Sequence, residues 1–156
     1  MGKLVSKNEI INIVKTGQEA GETFVVTNGC FDILHVGHVR YLKKTKEFAD
    51  NLIVMLNSDA SVKSIKGPDR PINCEDDRAE ILSSLSCVDY VVLFDESSPA
   101  KLLEDIKPDV YTKGADYTLE TLPERDVVIK NNIKVEFIEF VQGKSTTNVI
   151  NKISEK

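Results

Sequence analysis

The chain has 156 residues, 41% of them apolar and 29% charged, with a formal net charge of −5. A chain of this length buries about 68–70% of its unfolded surface in one domain, and no apolar run approaches the roughly 20 residues that cross a bilayer. Broad nucleic-acid binding is excluded, because it needs a basic face to neutralise phosphates; a small anion needs only a local positive site.

In chain order, Met1-Gly2-Lys3-Leu4-Val5-Ser6 fits a loose myristoylation consensus. Ser6 and Glu9 explain more residues as a capping box ahead of Ile10, Ile11, Ile13 and Val14, so residues 1–21 are expected to carry an N-terminal helix ending near Gly21. Residues 23–28 (TFVVTN) read as a buried strand, and 38–49 as a helix with Leu42 and Phe48 on one side and lysines elsewhere. Strand 51–57 (NLIVMLN) follows, then a polar passage over 58–74 with one short helix and a loop at Gly67, Pro68 and Pro71. Residues 75–85 predict a helix and 88–94 a strand. Ser97-Ser98-Pro99 opens a helix through Lys107, Pro108 stops it, and 109–112 give another strand. A helix over 121–131, a strand over 133–140 and a helix over 146–153 complete the chain.

Strands that alternate with helices predict an α/β fold, a doubly wound parallel sheet of five strands in a single domain over 1–156, with its core over 23–153. The ligand crevice then lies beyond the carboxyl ends of the strands, beside the strand at 23–28. The first thirty residues lack a signal-peptide core. Cys30, Cys74 and Cys87 are odd in number and form no CxxC pair or zinc set, which favours a reducing cytoplasm.

The chemistry concentrates in residues 27–38, TNGCFDILHVGH, which hold both histidines, His35 and His38. Gly29 is expected to supply backbone geometry that other residues resist. Beyond it, unpaired N–H groups at a helix start form a phosphate site, flanked by two imidazole donors whose protonation would add charge. Gly37 leaves room for a ligand near the backbone. Asp32 is either a turn residue or a holder of loop geometry, a metal or a hydroxyl. Ser145, Thr146 and Thr147, after Gly143, sit where the last strand gives way to the final helix; their hydroxyls and N–H groups suit phosphates, or serve as an ordinary N-cap. GKSTT is not a Walker A loop, because position 138 is Ile rather than Gly.

The segment GCFDILHVGH resembles the HxGH motif of the nucleotidylyltransferase superfamily, whose fold is Rossmann-like. Together with LIVMLNSDASVKSIKG, RPI, VDYVVLF, PDVYTKGADY and GKSTTNVI, it is similar to the heptose 1-phosphate adenylyltransferase (ADP-heptose synthase) family over roughly residues 23 to 153. The resemblance implies transfer of AMP from ATP to a sugar 1-phosphate, with Mg2+ as charge partner, no nucleic-acid or membrane partner, and a homodimer as in relatives. His35 and His38 would steady the triphosphate, and Cys30 and Phe31 would shape the nucleotide site. Lys66 and Arg78, with Arg70 behind them, are candidates for phosphate contacts. Lys113 and Asp116 in KGADY are expected to line the crevice, Lys113 toward phosphate and Asp116 toward base, ribose or sugar hydroxyls. The metal's protein ligands are not evident, and Mg2+ is expected to be held mostly by phosphate and water.

Glycerol-3-phosphate cytidylyltransferase is the nearest rival; its pattern carries arginines where this chain has Ser86 and Phe140. The same scaffold would also suit adenylyl transfer to a flavin nucleotide, or a non-catalytic regulator that binds a nucleotide.

Overall fold

The computed structural model describes residues 1–139 and 145–155. The elements are β1 (Lys3–Val5), α1 (Lys7–Glu19), β2 (Phe24–Gly29), α2 (Val36–Lys46), β3 (Asn51–Asn57), α3 (Asp59–Lys66), α4 (Glu75–Ser83), β4 (Tyr90–Phe94), α5 (Ala100–Ile106), β5 (Val110–Gly114), α6 (Arg125–Lys130), β6 (Lys134–Ile138) and α7 (Thr146–Ser154). All strand pairings are parallel, in the order β1-β4-β3-β2-β5-β6. The chain therefore winds outward from β2 to β4 and then crosses back to β5 on the other side of β2. That reversal opens a crevice at the carboxyl end of β2, as the alternating pattern predicts.

The sheet has six strands rather than five. The extra one, β1, is only KLV, with two of its residues exposed, too short to show an alternating pattern. It is fixed by pairing with β4 and by Gly2, whose N–H donates to Ser83 O at 2.8 Å. Immediately after it the Ser6–Glu9 capping box forms as expected: Glu9 N donates to Ser6 Oγ at 3.1 Å, and Ser6 N to Glu9 Oε2 at 2.6 Å. In α5, Pro99 is the N-cap residue rather than part of the first turn, and Ala100 N donates to Ser98 Oγ.

Successive strand residues face opposite layers. Phe24, Val26, Ile53, Met55 and Val92 pack with Ile10, Val14, Leu103 and Ile106 from α1 and α5. Val25, Leu52, Val54, Leu56 and Val91 pack with Leu42, Ala79 and Leu82 from α2 and α4. Both faces are covered, which is why the central strands read as continuous apolar runs.

Gly17 gives a test of this packing. A Cβ there would meet Phe24 Cζ at 2.5 Å and Cε2 at 2.6 Å, and the Phe24 ring is itself buried. Gly17→Ala gains up to about 1 kcal/mol of helix propensity but forces an overpacked core, which costs about 1–3 kcal/mol. Net destabilisation is expected in urea unfolding, and a stabilised variant would refute the close contact.

Candidate active site at the carboxyl end of β2

The turn between β2 and α2 is held by polar groups from three other segments. Asp32, with 1% of its side chain exposed, accepts from Arg70 Nε at 2.7 Å, Ile72 N at 2.8 Å and Asn73 N at 3.0 Å. Asn73 Nδ2 donates in return to Asp32 O at 2.8 Å. Burial works to raise the Asp32 pKa, but the Asn73 and Ile72 N–H groups and Arg70 outweigh it and hold the carboxyl below its usual range. Asp32 is thus the holder of loop geometry, its carboxylate spent on the loop rather than turned to a metal or a ligand hydroxyl.

Arg78 is corrected from a phosphate contact to a structural tie. Its side chain is fully buried; Nη1 donates to Cys30 O at 2.8 Å and Asn57 O at 2.7 Å, Nε to Asn73 O at 2.9 Å, and Nη2 to Asp59 Oδ1 at 2.9 Å. Four of the five guanidinium N–H donors are committed to protein acceptors, and the buried side chain does not line the cleft.

Gly29 is also corrected. Its φ is not in the left-handed region; a Cβ there would sit 2.8 Å from Phe31 Cε2. The glycine makes room for the Phe31 ring, which is 8% exposed and packs into the core beneath α2. The unusual backbone belongs to Phe31 itself, at φ 44°, a conformation that a bulky residue keeps only when its surroundings fix it.

His35 is the N-cap residue of α2. Gly37 N donates to His35 Nδ1 at 3.1 Å, and His35 N donates to His38 Nδ1 at 3.3 Å. The rings stack with centroids 3.8 Å apart and planes 25° from parallel, and the Phe31 ring lies 5.1 Å from that of His38. A nitrogen that accepts from a backbone N–H cannot carry a proton, so the neutral tautomer with the proton on Nε2 follows for both rings. Burial and the neighbouring His35 push the His38 pKa down to about 4. His38 is therefore a neutral donor at pH 7 and not the source of added charge that its histidine chemistry allows.

The cleft over this turn has a volume of about 800 Å³. Gly29, Cys30, Phe31, Asp32, His35, Gly37 and His38 line it from the β2–α2 turn, together with Lys66 after β3, Lys113 on β5, and Ser145, Thr146 and Thr147 at the start of α7. Thr146 Oγ1 donates to Ile33 O at 3.0 Å, which pins the start of α7 onto the histidine loop. Ser145 acts as the N-cap of α7, accepting from Asn148 N at 3.0 Å. Burial pushes the Cys30 thiol up against the opposing pull of Lys66, Arg78 and Arg70, which leaves it poorly suited as a nucleophile. Asp116 is exposed and does not line the cleft; Tyr117 does, with Lys113 Nζ 5.0 Å from its ring centroid. Gly143 lies outside the described residues.

Sequence reasoning misses Asn28, Tyr41, Asn57, Ser97 and Glu124 in the wall. Asn28, Asn57 and Ser97 each stand at or just beyond the carboxyl end of a strand, so position in a doubly wound sheet is the signal that finds them. Tyr41 reads as one more apolar position of α2.

Arg78→Met leaves the Cys30 and Asn57 carbonyls unpaired and should cost about 3 kcal/mol or more, since each unsatisfied buried group costs about 1–3 kcal/mol; a denaturation midpoint equal to the parent's would contradict the tie. The ring resonances of His38 should titrate near pH 4 rather than 6.5. Because the folded-state pKa is depressed, His38 favours folding above pH 6.5 and loses that contribution as pH falls toward 4.

The cytidylyltransferase-like family model matches residues 26–152. The chain is 46% identical over 154 residues to the "Bifunctional protein HldE" of Syntrophotalea carbinolica, covering 99% of this chain and 31% of that protein. It is 50% identical over 151 residues to the protein of the same name from Geotalea uraniireducens, covering 97% and 31%. It thus spans about a third of the length of these curated relatives. Among solved structures, the crystal structure of the lipopolysaccharide core biosynthesis protein from Thermoplasma volcanium GSS1 matches with a TM-score of 0.63 and 33% identity, covering 80% of this chain and 100% of that one. With its doubly wound sheet, its paired imidazoles at the switch point and a family match over most of its length, the chain belongs to the cytidylyltransferase-like family and is a nucleotidyltransferase.

Proposed function

We propose that the chain transfers AMP from Mg·ATP to a heptose 1-phosphate, giving ADP-heptose and pyrophosphate. The observation that carries this reading is the shared cleft, lined by the stacked neutral imidazoles and by the Ser145–Thr147 turn that is pinned to the histidine loop. Adenine and heptose are supported by the motif set, and the solved neighbour is itself described as a lipopolysaccharide core biosynthesis protein. The absence of an arginine at Ser86 speaks against the glycerol-3-phosphate cytidylyl reading.

A phosphate oxygen of the sugar 1-phosphate attacks the α-phosphorus of ATP and forms the new P–O bond. The bond from that phosphorus to the bridging oxygen breaks, and pyrophosphate leaves with the electron pair. Such a displacement needs positioning and charge stabilisation more than covalent help. His35 and His38 donate through Nε2 to the α-phosphate as charge builds there. Lys66 and Arg70 lie on the same cleft and offset the negative charge of the phosphates. Lys113 stands toward a substrate phosphate from the far side of β2. The Thr147 hydroxyl and the first N–H groups of α7, at Thr146 and Thr147, hold the β- and γ-phosphates, while the Thr146 hydroxyl, donating to Ile33 O, keeps that helix start in place. Cys30, Phe31 and Gly37 give the site its shape.

No group of three His, Cys, Asp or Glu able to cage a metal occurs among the described residues, and the Asp32 carboxylate is occupied by loop donors. Mg2+ would come with the nucleotide, held mostly by phosphate and water, and would supply charge neutralisation there. No helix among the described residues is long and apolar enough to cross a membrane, in keeping with action on water-soluble substrates in the cytoplasm. Homodimerisation belongs to the proposal through the family resemblance.

The test is incubation of the protein with each nucleoside triphosphate and a panel of phosphorylated acceptors, reading product masses. ADP-heptose formed from ATP and heptose 1-phosphate is expected; CDP-glycerol, flavin adenine dinucleotide or no product at all would contradict the reading. His38→Ala should reduce kcat about 10²–10³-fold, the usual loss for one transition-state donor, while the lost acceptor for His35 N costs only about 0.5–2 kcal/mol of stability, so the folded variant remains assayable. Undiminished turnover would remove His38 from the chemistry.

A further inference from the structure

Glu124 is the N-cap residue of α6, yet its side chain makes no capping hydrogen bond. The residue is only 3% exposed and stands in the wall of the cleft. Its Oε2 is shielded from solvent and, among the described residues, is the one buried side-chain nitrogen or oxygen without a hydrogen-bond partner. Native proteins rarely leave such a group unsatisfied, because burial removes its water without a replacement.

The neighbouring donors are committed elsewhere. Tyr111, whose hydroxyl pKa is raised well above 10 by burial, then by the Glu124 charge and by a contact with the Glu124 carboxylate, gives its single proton to Asn28 Oδ1 at 2.6 Å, so that contact leaves Oε2 without a donor. Lys113 Nζ lies 3.4 Å from that same Asn28 oxygen and against the Tyr117 ring. A carboxylate repels phosphate, so the ligand group that completes Oε2 is an uncharged donor. Both substrates of a sugar-nucleotide transferase carry one: the ribose of ATP and the sugar ring of the acceptor.

We propose that Glu124 binds substrate by accepting a hydrogen bond at Oε2 from a hydroxyl of a sugar ring. This rests on the sugar-nucleotide reading of the cleft, and it makes Glu124 a determinant of which hydroxylated ligand is held. Nothing in the sequence distinguishes this glutamate from the exposed acids around it; the signal is its burial without a partner.

Calorimetry on the wild type, Glu124→Gln and Glu124→Asp tests it, with Mg·ATP, its 2′-deoxy and 3′-deoxy counterparts, and heptose 1-phosphate in the presence of a non-hydrolysable ATP analogue. Glu124→Gln keeps the shape and removes the charge; Glu124→Asp keeps the charge and withdraws the oxygen by one methylene, which covers a failure of the first variant to fold. One substrate is expected to bind about 10- to 100-fold more weakly, as for loss of a hydrogen bond to a charged acceptor, while the other is unchanged. If ATP is the one affected, the deoxy analogue lacking the bonded hydroxyl should bind the variant and the parent alike, which assigns the ribose; loss confined to heptose 1-phosphate assigns the acceptor ring. Wild-type affinity for both substrates in the variants, or equal weakening of both together with a lowered Tm, would overturn the role of Glu124 and leave the transferase reading intact. Failure of the wild type to bind either substrate would overturn both.

Discussion

The site depends on Arg78, a buried guanidinium that joins the backbone at Cys30, Asn57 and Asn73 and the carboxylate of Asp59. Those acceptors come from the ends of β2 and β3, from the start of α3 and from the loop before α4. One side chain therefore fixes the relative positions of four chain segments at the edge of the sheet. Its rigid, planar donor fork suits that task in a way that lysine's single nitrogen does not. Asp32 completes the arrangement from the other side by gathering Arg70, Ile72 and Asn73. With both in place, Phe31 is held in its unusual backbone conformation, and the chain is aimed into α2.

The consequence for chemistry appears at the two histidines. The backbone N–H groups at a helix start usually go to a Ser, Thr, Asn or Asp cap or to a ligand; here imidazole Nδ1 atoms take two of them. The cap and the reactive group are the same side chains, so the fold itself selects the tautomer that leaves Nε2 as donor. Stacking at 3.8 Å between rings adds a second constraint, because two adjacent imidazolium charges repel. A neutral donor pair costs nothing to discharge and is already oriented when the phosphate arrives, which is the form of preorganisation that electrostatic catalysis requires.

Much of this is legible in the sequence, and what is not has physical reasons. β2 and β3 are visible because both faces are buried and each contains a continuous apolar run, Phe24 to Val26 and Leu52 to Leu56. β1 is not, since three residues, two of them exposed, have no periodicity. The HxGH turn and the GKSTT segment read as parts of one crevice, and their lining residues share it, with Gly143 outside the described chain. Arg78 is misread because charge in a sequence does not report burial: on α4 it looks like any solvated arginine. Asp116 is misread because a loop after a strand is expected at the crevice but only some of its side chains point inward. Gly29 is needed for space rather than for φ, a distinction that requires the position of the Phe31 ring.

The most direct test of the central claim is the ¹⁵N chemical shifts of both histidine rings at pH 7, first in the free protein and then with a non-hydrolysable Mg·ATP analogue. Nδ1 should be bare and Nε2 protonated in both rings throughout, with the Nε2 resonances moving when the analogue binds. A proton on Nδ1, an imidazolium at His38, or rings indifferent to the triphosphate would contradict the neutral donor pair.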